Sequence, residues 1–129
     1  MPHQVILCVD DEEVILESLK EQLKRYFGSQ YLYELANSAA EAMEILEEFE
    51  TDQIEVLVIV SDCLMPGMKG DEFLVQVHRK YPHVTTIMLT GQADAGAIAR
   101  AQQEANLYRC LYKPWREEEL VETIRAGLP

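Results

Sequence analysis

Positive charge is scarce in this chain of 129 residues. Lys and Arg number 11 against 23 Asp and Glu, so the net charge is 11 − 23 = −12. So acidic a surface repels phosphate backbones and anionic lipid headgroups, which argues against direct nucleic-acid binding and against membrane association. Neither a helix-turn-helix pattern nor a basic stripe is present. Cysteine is rare as well. Its count is 3, an odd number, and Cys8, Cys63 and Cys110 are widely spaced, with no CxxC pair to suggest zinc or redox chemistry. Cys8 and Cys63 lie in or beside apolar runs and are expected to be buried free thiols, which suits a reducing cytosol. Long apolar runs are missing, since the longest, residues 56–60, is far too short to cross a bilayer. Met1-Pro2-His3-Gln4 has neither the basic start nor the apolar stretch of a signal peptide, so a cytoplasmic location is expected. GxGxxG, P-loop, GxSxG and DxDxT motifs are also absent, which weakens the case for a nucleotide-binding Rossmann domain, a hydrolase or a phosphatase.

What is present suits one domain over residues 1–129. Apolar residues reach 48%, enough for a sizeable core, and charged residues 26%, enough for a solvated surface. Two hydrophobic rhythms alternate along the chain. Residues 5–9 form a short apolar, β-branched run that reads as a buried strand. Residues 11–27 follow as a helix with Ile15, Leu19, Leu23 and Tyr26 on one face. Residues 31–36 alternate weakly and read as an edge strand. Ser38 with Glu41 forms a capping-box pattern for a helix carrying Ala39, Met43, Leu46 and Phe49, before a polar loop at 50–53. Residues 56–61 are apolar at nearly every position, as in a central parallel strand buried on both faces.

Met65-Pro66-Gly67 then breaks the chain. A helix over 70–81 presents Phe73, Leu74 and Val77 and ends at Pro82. Residues 86–89 read as a fourth strand, 93–105 as an Ala-rich helix and 107–112 as a fifth strand. Pro114 precedes a last helix with Leu120, Ile124 and Leu128. Five strands alternating with five helices give an α/β fold, a parallel sheet with helices on both faces. Sites in such sheets lie outside the carboxyl ends of the strands, so polar residues just after strands carry the interest.

Those residues are Asp10 and Asp11 after the first strand, Asp62 after the third, Thr90 after the fourth and Lys113 after the fifth. Three carboxylates in one cleft repel. A pair about 4 Å apart costs about 4 kcal/mol at an effective dielectric near 20. A divalent cation relieves this, and hard oxygen ligands favour magnesium, calcium or manganese over zinc. Magnesium usually binds one or two carboxylates, keeps waters and accepts phosphate oxygens, and the site has the composition for that. Lys113 adds a positive charge that a pure cation trap would not want, but that an incoming phosphoryl group would. Thr90 offers a hydroxyl donor, and Asp62 can be the nucleophile of an aspartyl-phosphate. Taken singly, each residue has an ordinary reading as a helix start, a turn or a loop acid. Their ordered appearance at four strand ends makes the case.

These residues resemble the receiver domains of response regulators. The matching stretches are Ile6-Leu7-Cys8-Val9-Asp10-Asp11-Glu12, Ser61-Asp62-Cys63-Leu64-Met65-Pro66-Gly67-Met68, Leu89-Thr90-Gly91 and Tyr112-Lys113-Pro114, and the resemblance covers essentially the whole chain. It implies a flavodoxin-like, doubly wound (βα)5 fold with strand order 2-1-3-4-5. It implies Asp62 as phospho-acceptor, with Thr90 and Lys113 as phosphate partners. It implies Mg2+ held by Asp11 and Asp62, by Asp10 mostly through water, and by the backbone carbonyl of Leu64. The implied phosphoryl donor is a phosphohistidine on a sensor histidine kinase or phosphotransfer protein, and the peptide before Pro114 is expected to be cis. Output is expected on a face including Ala97, Arg100, Gln103, Arg109, Cys110 and Tyr112, through a phosphorylation-dependent dimer or a downstream output domain.

The sequence departs from the family pattern at two positions. Cys110 stands where receivers usually carry an aromatic residue, and strand alternation would put Tyr108 and Tyr112 on its face, one pleat away on either side. Lys69 stands where the family often has Asp. The stretches 89–94 and 106–115 are similar to receivers joined to larger signalling proteins, such as cyclic-dinucleotide phosphodiesterases, transcription activators and sensor kinases. The expectation is a switch rather than an enzyme that turns over a separate substrate. The alternative is a phosphorylation-independent protein-binding module on the same fold.

Overall fold

Alternation of apolar side chains builds two cores, one on each side of a single sheet. The computed structural model describes residues 4–91 and 95–128. Its elements are β1 (Gln4–Val9), α1 (Glu13–Phe27), β2 (Leu32–Ala36), α2 (Ala39–Thr51), β3 (Glu55–Asp62), α3 (Gly70–Lys80), β4 (Thr85–Thr90), α4 (Ala95–Glu104), β5 (Arg109–Tyr112) and α5 (Glu117–Gly127). The five strands are parallel and ordered β2-β1-β3-β4-β5, the doubly wound order that the resemblance implied. Val5, Leu7 and Val9 of β1 join Ile59 and Met88 under α2, α3 and α4. Ile6 and Cys8 point the other way and join Val58, Val60, Ile87 and Leu89 under α1 and α5. β3 is buried from Val56 to its last residue, as the near-continuous apolar run predicts for a central strand.

Several element edges differ from the sequence reading. α1 begins at Glu13 and buries Leu16, Leu19, Leu23 and Phe27. Ile15 is only half-buried and Tyr26 is 49% exposed, so the apolar stripe is rotated by about one residue from the expected face. Phe27 takes the inward place, and Tyr26 stacks edge-on against it at 4.9 Å. α2 continues through Thr51, into the stretch expected to be a polar loop. Its cap forms as expected on one side, with Ser38 Oγ accepting the Glu41 N–H at 3.1 Å, but the Glu41 carboxylate accepts from Asn37 N rather than from Ser38 N. The start of the fourth helix at residue 93 lies outside the described residues, and β5 is four residues long, shorter than expected. Among the described residues, no helix is long and apolar enough to cross a membrane.

Candidate functional site

Every strand of a parallel sheet ends on the same edge, and here that edge gathers two buried carboxylates, Asp10 and Asp62. Asp10 follows β1 and is fully buried. Asp62 closes β3 at 5% exposure, and Thr90 closes β4 at 1%. Asp11 is exposed beside Asp10. One carboxylate oxygen from each of Asp10, Asp11 and Asp62 lies within 4.8 Å of the others. Lys113, just beyond β5, places its Nζ 3.0 Å from Asp10 Oδ2 and 3.0 Å from Asp62 Oδ1. Asp62 Oδ1 also accepts the Cys63 N–H at 2.9 Å, and Asp10 Oδ1 accepts the Glu12 N–H at 2.8 Å. The Lys113 N–H donates to the Thr90 carbonyl at 2.8 Å, which ties the ends of β4 and β5 together. An open cleft of about 400 Å³ lies over this group, lined by Asp11, Glu12, Asp62, Leu64, Gly91 and Lys113. All the residues singled out in the sequence therefore gather at this edge. Thr90 and Asp10 lie beneath the surface rather than in the cleft wall.

The electrostatics follow from burial. Desolvation pushes the Asp62 carboxyl above its ordinary range; the neighbouring Asp10 charge adds to this, and the hydrogen bond from Lys113 opposes it. Burial alone would lower the Lys113 ammonium, yet its hydrogen bonds to Asp10 and Asp62 hold it above its ordinary value. Three carboxylates and one ammonium leave a formal charge of −3 + 1 = −2. A hard divalent cation matches that charge and the all-oxygen donor set.

Comparison with known proteins decides the family. The model of the response regulator receiver domain matches residues 6–125. The chain belongs to that family. A crystal structure of the signal receiver domain of an HD domain-containing protein from Pseudomonas fluorescens Pf-5 superposes with a TM-score of 0.86 at 35% identity, covering 96% of this chain and 93% of that one. The solution structure of the beryllofluoride-activated NtrC4 receiver domain dimer gives a TM-score of 0.82 at 28% identity, covering 96% and 95%. The hydrogenase transcriptional regulatory protein HoxA of Cupriavidus necator is 32% identical over 123 residues, 95% of this chain and 24% of that protein. The chain thus spans about a quarter of the length of the first curated relatives it matches. The expected similarity to receivers within larger signalling proteins is met by these relatives.

Within this receiver, the Lys113–Pro114 peptide is cis, as the resemblance implied. Cys8 and Cys63 are buried cysteines outside any disulfide, and Cys110 is a half-buried one. The expectation for Tyr108 fails. Its ring packs with the α1–α5 core and lies against Gly127, while Cys110 pairs in register with Met88 of the opposite core. The reason is that β5 starts only at Arg109, so strand alternation does not reach Tyr108. Tyr112 is 52% exposed at the end of the same strand. Lys69 precedes α3 with no side-chain capping bond and is exposed.

One position that sequence reasoning treated only as a helix start proves structural for the site. Gly70 donates its N–H to Cys63 O at 2.9 Å. A Cβ at Gly70 would fall 2.0 Å from the Asp62 carbonyl oxygen and 2.9 Å from Cys63 Cα. Only glycine lets α3 start against the end of β3. The signal was in the sequence, as a glycine eight residues after Asp62, but only packing gives it meaning.

Proposed function

We propose that residues 1–129 form a phospho-accepting switch, in which Asp62 takes a phosphoryl group from a phosphohistidine of a sensor histidine kinase or phosphotransfer protein. One observation carries the reading: Lys113 bridges Asp10 and Asp62, and the group these three form with Asp11 retains a formal charge of −2. In the transfer, an Asp62 carboxylate oxygen attacks phosphorus, the new O–P bond forms as the P–N bond breaks, and the donor imidazole departs with the bonding electron pair. Asp11 and Asp62, the Leu64 carbonyl and, through water, Asp10 would hold Mg2+. That ion, when bound, would supply positive charge to the phosphoryl oxygens. Both oxygens of Asp10 already accept hydrogen bonds, from Glu12 N–H and Lys113, which suits an indirect role.

Lys113 holds the Asp62 oxygen before transfer and can follow the charge onto the phosphoryl group afterwards. Thr90, which ends the adjacent strand β4, would give its hydroxyl to a phosphoryl oxygen. The changed charge then acts on the surface of α4 and β5, as a dimer contact or a contact with an output domain. The existence of a beryllofluoride-activated dimer among the similar receivers supports that direction. The experiment is phosphorylation by acetyl phosphate in Mg2+, with the labelled residue mapped. Label on Asp62 that disappears in Asp62→Asn supports the reading. Equal labelling of Asp62→Asn, or partner binding indifferent to beryllofluoride, would instead favour a phosphorylation-independent module.

A further inference from the structure

One buried charge outside the cleft has no part in that chemistry. Asp71 lies in the first turn of α3 and is only 6% exposed. A carboxylate removed from water needs a cation or a full set of hydrogen bonds. Asp71 Oδ2 lies 3.5 Å from Arg100 Nη1 on α4, while Asp71 Oδ1 is buried with no hydrogen-bond partner among the described residues. Arg100 is shared, because its Nε also donates to Glu104 Oε2 at 3.0 Å, one turn along α4. A planar guanidinium with five N–H donors can engage both acids.

The location of Asp71 gives the pair its meaning. Its neighbour Gly70 is where α3 meets the acceptor strand, in hydrogen bond with Cys63 O and in van der Waals contact with the Asp62 backbone. No slack exists there, so a displacement of the first turn of α3 is also a displacement of residues 62–64. At the other end of the link, α4 buries few of its own side chains. Among the described residues, Ala101 is its only buried side chain, with Ala97 and Ile98 half-buried. α4 packs on α3 through these side chains, and the ion pair from Arg100 to a buried acid adds a directional polar tie between the two helices.

We propose that Asp71 and Arg100 are positioning residues for the acceptor loop: their ion pair anchors the first turn of α3 to α4, sets the placement of residues 62–64, and couples the cleft to α4. This rests on the reading of the cleft as a magnesium and phosphoryl site. Coupling of this kind is reciprocal, so filling the cleft steadies α4 and loosening α4 weakens the cleft.

The test is a double-mutant cycle in the full chain, read as Mg2+ affinity and as hydrogen exchange over residues 95–104, neither of which requires phosphorylation. Trp115, the single tryptophan, lies two residues from Lys113, and its fluorescence is the signal followed as Mg2+ is added. Arg100→Gln and Asp71→Asn are each expected to weaken Mg2+ binding by about tenfold, the low end for outer-shell partners. The double variant should bind no more weakly than the weaker single one, and Mg2+ should no longer slow exchange in α4. Arg100→Lys should recover part of the affinity. Glu104→Gln, which leaves Arg100 to Asp71 alone, should bind Mg2+ at least as tightly as the parent.

If Asp71→Asn does not fold, the opposed directions of Arg100→Gln and Glu104→Gln decide the matter alone. Affinities within about twofold of the parent in every Arg100 variant would overturn the proposal, and so would single effects that simply multiply. A parent protein that binds Mg2+ but takes no phosphoryl group on Asp62 would sink the proposed function and leave this test intact.

Discussion

At the carboxyl edge of the sheet, Lys113 holds Asp10 and Asp62 at 3.0 Å each, and backbone N–H groups of Glu12 and Cys63 fix two of the carboxylate oxygens. On the α4–β5 side of the same sheet, contacts thin out. β5 has four residues, of which Leu111 alone is buried, and Ala101 is the only side chain of α4 buried among the described residues. The first region is over-determined, and the second is tied down at few points. The proposed switch would need this division. The reacting atoms must stay in place, while the surface that reports the reaction must have a second arrangement within a few kcal/mol of the first.

The strongest way to break the comparison is to remove the nucleophile. Asp62→Asn should lower phosphoryl transfer by about 10³-fold or more, measured as label incorporated from acetyl phosphate. If the cleft is the only seat of the chemistry, no second site should take up label. Next comes Lys113→Met. It removes one positioned donor, and transfer should fall by about 10²-fold. It also leaves the buried Asp10 and Asp62 without their cation, so the metal-free protein should lose about 3–5 kcal/mol of stability in denaturant unfolding. The affinity for Mg2+ should rise, because Lys113 no longer competes for the same oxygens. A variant in which both affinity and transfer fall together would show that Lys113 shapes the cleft rather than balances its charge.

A smaller effect tests the pKa of Asp62. Its carboxyl is raised by burial in the folded chain, so the fold binds a proton there more tightly than the unfolded chain does. The ionised form therefore costs stability, a cost present at neutral pH and relieved as pH falls through the raised value. Asp62→Asn should remove it and stabilise the metal-free protein at pH 7 by about 2 kcal/mol, between the values of a like-charge contact in water and in a partly solvated cleft. The gain should shrink toward zero in acid. Lys113 has the opposite dependence. Its raised value means that its contribution is whole below its ordinary pKa and is lost as pH climbs through the folded one. Thermal unfolding of the parent and Asp62→Asn across pH measures both.

The contrast between the two regions also explains what the sequence made legible. Strand ends could be read, because β-branched apolar runs stop at Asp10 and just before Asp62, a shorter stretch stops at Lys113, and a parallel sheet brings all such stops to one edge. Helix faces were harder. In α1, Tyr26 and Phe27 are both large and apolar, and only packing decides that Phe27 turns inward. The length of β5 was not readable either, since Leu107 and Tyr108 look like strand residues yet pack into opposite cores before the strand begins. Gly70 and Asp71 depend on tertiary contact alone. One needs a neighbour 2.0 Å from an absent Cβ, and the other a guanidinium twenty-nine residues away on a different helix.

The smallest expected effect sharpens the comparison most, because it separates chemistry from readout. Cys110 is half-buried beside Met88, and its thiol is raised by desolvation, as befits a packing residue rather than a reactive one. It lies on the α4 side of β5 and lines no part of the cleft. Cys110→Tyr supplies the aromatic ring that receivers usually carry here. Because the site is only half-buried, the larger ring can lean toward solvent, and stability should change by no more than about 1.5 kcal/mol. Phosphoryl transfer to Asp62 should stay within about twofold of the parent, because no atom in the cleft moves. What should change is the response of α4 and β5 to beryllofluoride, followed by hydrogen exchange over 95–112 and by association in sedimentation. An altered transfer rate with unaltered association would mean that Cys110 belongs to the chemistry, and the division between a fixed cleft and a movable face would fall.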